Sequence, residues 1–183
     1  MPDIVIQFSR AAPPTWKEMI EQFSPFNYSM IICRLTHSPF SHVDVCIGEG
    51  LLGASNAPYC PILASYPPGN ASGVALRPPD YERMDVMRQA RINVTQDQKD
   101  QVEQYCKQQL GKPFDKSALK AKIFLSGDFT NRDWREPDKW YCAEHVARAF
   151  EIANILVIPG VKNRVTAGDL ILLLWPFIKG QGF

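Results

Sequence analysis

The sequence predicts an α+β domain. Runs of strand character crowd the first half of the chain, at residues 3–8, 28–35, 42–47, 51–55, 74–77 and 86–93. Two later segments, 95–110 and 141–154, have helical periodicity and recognisable ends. The strands come first, a helix follows, and the long helix precedes an apolar end expected to be a final strand, an order that is α+β rather than alternating.

Residues 3–8 alternate enough for a first strand. In 15–23, Thr15 can cap a short helix in which Trp16, Met19, Ile20 and Phe23 recur at helical spacing. The apolar run 28–35 reads as a strand, 37–41 as a turn and 42–47 as a strand. Gly48-Glu49-Gly50 turns into a further strand, 51–55. Residues 56–73 form a Pro- and Gly-rich loop, long enough to wall a site. Strands at 74–77 and 86–93 follow. Thr95 caps the helix 95–110, Gln98 stands at the capping-box position, and Gly111 ends it. After the turn 111–115, residues 116–125 can be helical and 126–139 form a polar loop carrying Trp134. The second clear helix covers 141–154. No repeat or linker divides residues 1–183, so one domain is expected.

Twenty Lys and Arg against 19 Asp and Glu leave no basic field, which argues against a nucleic-acid partner. Five cysteines at irregular spacing imply no disulfide framework. The opening Met1-Pro2-Asp3 has no secretory pattern, so a cytoplasmic location is expected. The apolar stretch 170–178 is too short to span a bilayer and contains Pro176, so an integral membrane protein is not expected.

Cys142 carries the strongest chemical signal. Pro137 and Asp138 stand just upstream, so the helix must start near Tyr141. A cysteine in a first turn lies against free N–H groups and the positive dipole end, which favour the thiolate. Ala143, Val146, Ala147 and Phe150 form the inward stripe, with Cys142 at its lip. A hundred residues earlier, His42 opens a strand on which it shares a face with Asp44 and Cys46, while Val43, Val45 and Ile47 face the core. Alone, either residue reads as an ordinary core group; together they are a nucleophile and a general base. His145, one turn after Cys142, is an alternative base. Glu144 is expected on the exposed side. Cys33, His37, His42 and Cys46 make only a weak zinc pattern, so no metal and no other cofactor is expected.

These residues resemble a known group. Residues 40–48, FSHVDVCIG, are similar to the histidine strand of NlpC-type papain-like cysteine peptidases. Residues 141–146, YCAEHV, resemble the cysteine-helix start of their circularly permuted, YiiX-like branch, in which the histidine also precedes the cysteine. GKPFD at 111–115, TAGDL at 166–170 and PDIV at 2–5 match further motifs of that branch in order. The resemblance implies a permuted papain-like fold, with a small antiparallel sheet packed on the cysteine helix. It also implies a hydrolase with Cys142 as nucleophile and His42 as base. The Cys142 backbone N–H would hold the oxyanion, with Tyr141 lining the pocket. Implied substrates are peptide or isopeptide bonds, cell-wall peptides included, or acyl groups of lipids.

The chain departs from the pattern twice. The polar residue that orients the histidine in the family falls here on Gly53, leaving Asp44, Ser55 and Asn56 as candidates, and His145 replaces an apolar residue. Two alternatives to the enzyme follow. One is a degenerate module that binds peptide or lipid, its groove walled by Tyr59, Tyr66 and Trp134. The other is a structural part of a phage or secretion assembly, docked through residues 170–178.

Overall fold

The computed structural model describes residues 1–13, 28–48, 50–55, 73–78, 84–115, 138–158 and 165–178. The expected helices at 15–23 and 116–125, and the site candidates Asn56, Tyr59, Tyr66 and Trp134, lie outside them. The architecture is α+β. Five strands, β1 (Asp3–Ala11), β2 (His42–Ile47), β3 (Gly50–Ser55), β4 (Gly73–Arg77) and β5 (Met84–Asn93), form one antiparallel sheet in the order β4-β3-β2-β1-β5. The helices are α1 (Tyr28–Leu35), α2 (Gln96–Gln108), α3 (Cys142–Ile152) and α4 (Ala167–Leu174), the last continued by a 3-10 turn, Trp175–Phe177. None of these is long and apolar enough to cross a membrane.

The period of two along the strands decides which face is core. Ile4, Ile6 and Phe8 of β1 line up with Val43 and Val45 of β2 and with Ala90 and Ile92 of β5, all buried. The same core cluster takes in Val146, Ala147, Ala149 and Phe150 of α3, Val102 and Cys106 of α2, and Leu170, Ile171 and Leu174 of α4. Thr95 and Gln98 form the expected capping box at the start of α2.

Two expected strands are helices. Residues 28–35 form α1, and Cys33 is therefore a helix residue. An apolar run of eight has no period of its own and fits either state; α1 lies at the end of β1, where Ser29 Oγ accepts a bond from the Ala11 N–H, 3.1 Å. The apolar end likewise forms α4, started by a capping box between Thr166 and Asp169. Glu144 is also corrected: it is 2 % exposed, because α3 is enclosed by the sheet, α2 and α4, and only Arg148 among residues 142–150 is exposed.

Candidate active site

The start of α3 is held from three directions. The turn 111–115 ties it to the sheet edge: the Val74 N–H bonds Lys112 O at 2.8 Å, the Trp140 N–H bonds Pro113 O at 3.1 Å, and the Asp115 N–H bonds Trp140 O at 2.9 Å. The Tyr141 hydroxyl donates to Val165 O at 2.5 Å, joining the helix start to the segment entering α4. The body of α3 lies across β2 and β3. Tyr141 is the N-cap and gives no side-chain cap bond. Its hydroxyl is committed to Val165 rather than turned to a pocket. Tyr141→Phe is expected to cost about 1–2 kcal/mol of stability, read by urea denaturation, since it leaves a buried carbonyl short of a donor.

Cys142 and His42, 100 residues apart in the chain, face each other at this end. The Cys142 sulfur lies 3.9 Å from the carbonyl of Ser41, the residue before His42. Burial pushes the Cys142 thiol up, but the charge of His42, its hydrogen bond to the sulfur and a backbone bond from Val43 outweigh it and hold the thiol below its usual range. Burial opposes protonation of His42 as well. There the Asp44 and Cys142 charges, with a hydrogen bond from each, win, and the imidazole titrates well above its usual range. Each shift runs in the direction that favours a thiolate beside an imidazolium.

Asp44 is the third member of the cluster. Its Oδ2 is 2.9 Å from His42 Nε2, which leaves Nδ1 as the ring nitrogen for the sulfur. Strand spacing puts residues i and i+2 about 7 Å apart, yet the ring and the carboxylate lean along the strand and close that gap. Gly53 explains how the carboxylate fits. The β2–β3 register pairs Val45 with Leu52, so its continuation sets Gly53 opposite Asp44. A Cβ on Gly53 would stand 2.1 Å from Asp44 Oδ1. The position that lacks an orienting side chain is thus the space that the Asp44 carboxylate occupies. Ser55 ends β3 opposite Gly73.

His145 is not placed as the base. Its imidazole is 0 % exposed and packs against Tyr105 and Trp140, with ring centroids 5.7 and 6.0 Å away. Among the described residues neither ring nitrogen has a hydrogen-bond partner. Burial pulls its pKa from 6.5 to about 4. Between those values the unfolded chain takes a proton that the folded chain does not. Stability is therefore complete above pH 6.5 and falls as pH drops towards 4, by about 3 kcal/mol for this group. His145→Phe should remove that slope. Urea denaturation at pH 7 and 4.5 should show the variant gaining on the wild type as pH falls; parallel pH dependences would refute the assignment.

Several supports had no sequence signal of their own. Ser41 is fixed by its N–H to Ser9 O, 3.1 Å, and by a side-chain bond to Ser29 of α1. The helix missed in the sequence thus buttresses the segment that delivers His42. A [Ser/Thr]-x-x-[Asp/Glu] box before an apolar run would have revealed α4; nothing local reveals the use of Gly53. Among the described residues no His, Cys, Asp and Glu side chains group as a metal site.

No protein-family model matches the chain, and no curated protein matches it.

Proposed function

We propose that this protein is a thiol hydrolase with a circularly permuted papain-like arrangement, in which Cys142, His42 and Asp44 act on an amide or ester carbonyl. The observation that carries this is the geometry at the start of α3: Cys142 stands in the first turn with its sulfur 3.9 Å from Ser41 O, beside His42, whose Nε2 is 2.9 Å from Asp44 Oδ2. The lowered Cys142 thiol and the raised His42 imidazole, each shifted in part by the other, support it. The thiolate attacks the carbonyl carbon, and the oxyanion forms beside the Cys142 backbone N–H at the start of α3. His42 Nδ1 gives its proton to the leaving amine or alkoxide, which departs and leaves a thioester. The now neutral imidazole takes a proton from water, the hydroxide attacks the thioester, and the acid product leaves as the sulfur regains its negative charge. Asp44 holds the ring in line through Nε2 and favours the imidazolium. Peptide, cell-wall peptide and acyl-lipid substrates all fit this chemistry.

The alternative of a degenerate binding module was motivated by Gly53. The Asp44 carboxylate over that position supports the enzyme reading instead; the second motive, the loop 56–73 with Tyr59 and Tyr66, lies largely outside the described residues. The test is acyl-enzyme trapping. The protein is mixed with p-nitrophenyl acetate, p-nitrophenyl octanoate and peptide p-nitroanilides, quenched in acid and digested for mass spectrometry. A burst of nitrophenol and an acyl mass on the Cys142 peptide are expected. Acylation that spares Cys142, or none at all, would overturn the proposal.

A further inference from the structure

Arg77 is the largest side chain among the fully buried residues, at 2 % exposure. A guanidinium removed from water is costly unless its donors are satisfied. Here Nη1 donates to Gly53 O and Nη2 to Gly73 O, both at 2.8 Å. The register places this fork. Gly53 pairs with Ala75, and Arg77 lies two residues beyond Ala75 on β4, so Arg77, Ala75 and Gly53 share a face. Asp44 lies on that same face, opposite Gly53. Two small residues, Gly53 and Ala75, leave the floor clear: the arginine stem runs back over Ala75, and the Asp44 carboxylate sits over Gly53.

We infer that Arg77 is a positioning residue for the Cys142–His42 pair, acting through the Gly53 carbonyl and Asp44. This rests on the proposed thiol chemistry and deepens it. The Gly53 backbone is in van der Waals contact with the carboxylate that orients His42, so a shift of Gly53 by a few tenths of an ångström moves Asp44 against the imidazole. Arg77 adds a side-chain fork to the ladder that joins that stretch of β3 to the start of β4. Lysine cannot replace it well, because one ammonium on a flexible stem does not span two carbonyls as a planar fork does.

Among the described residues, the other ionisable groups near the pair include Cys46 on β2, Tyr141, Glu144 and His145 around the first turn of α3, Asp115 and Asp169, which act on Tyr141, and Arg91 on β5, which acts on Cys46. All stay unchanged in the comparison. The readout is the pH dependence of iodoacetamide alkylation at Cys142, followed peptide by peptide in the full chain. In the wild type, no reactivity at pH 6 beyond that of an ordinary thiol would refute the thiolate–imidazolium reading itself, and with it the premise here. Where the wild type does show that reactivity, Arg77→Lys is expected to slow alkylation at pH 6 about threefold and Arg77→Gln about tenfold, both through a raised apparent thiol pKa. Arg77→Gln added to Asp44→Asn should cause no further loss, because the two act in series. A wild-type profile in folded Arg77→Gln, or additive losses in the double variant, would overturn the inference. If Arg77→Gln does not fold, Arg77→Lys decides by the same readout: an unshifted profile overturns it and a raised thiol pKa supports it.

Discussion

Removing the imidazole of His42 is expected to slow alkylation of Cys142 by iodoacetamide at pH 6.5 about 100-fold. The sulfur is in a place that disfavours charge, since burial alone pushes the thiol up. Without His42 the opposing charge and hydrogen bond are lost, and the thiol rises past the ordinary range. A thiol of pKa about 9 is roughly 0.3 % ionised at pH 6.5, whereas the lowered Cys142 thiol of the wild type is ionised to a greater extent there. The lower nucleophilicity of a low-pKa thiolate takes back part of that gain, which sets the estimate near 100-fold rather than higher. The rates should converge above pH 10. Reading the rate on the Cys142 peptide keeps it apart from the other four cysteines, of which burial pushes Cys46 and Cys106 up to about 11 and 12. Equal rates for His42→Ala and wild type at pH 6.5 would remove the base from the mechanism.

The parts of this site legible in the sequence are those set by local rules. Pro137 and Asp138 limit where α3 can begin, and that start puts Cys142 in its first turn. The alternation in β2 separates His42 and Asp44 from Val43 and Val45. Capping chemistry placed α2 at Thr95. Local rules fail where an apolar run has no period. Residues 28–35 pack only one face onto the end of β1, and nothing within the run decides helix against strand. They fail again where a meaning depends on pairing. In the sequence, Gly53 reads as a missing orienting residue. In the sheet it faces Asp44 across one strand gap, and its lack of a Cβ becomes a condition for the Asp44–His42 bond. Arg77 likewise gains its place only from the register, which sets it on that same face.

Gly53→Ala therefore carries the second large effect, from a change of one methyl group in a residue that touches no reacting atom. The new Cβ would stand 2.1 Å from Asp44 Oδ1 and 3.3 Å from Val43 O. The carboxylate is the freer of the two, so it must swing away, and the 2.9 Å bond to His42 Nε2 is lost. The imidazole then keeps its place beside the sulfur without a fixed tautomer or a stabilised positive charge. Alkylation of Cys142 at pH 6 is expected to fall by about 10- to 30-fold, close to the loss in Asp44→Ala, and the double variant should match either single one. Cooperative thermal unfolding within a few degrees of wild type would show that the sheet survives. The exchange Asp44→Gly with Gly53→His, which moves the orienting group to β3 and clears β2 for it, should recover part of the rate. A Gly53→Ala protein with the wild-type pH–rate profile would mean that the carboxylate has room to spare, and that Asp44 does not orient His42.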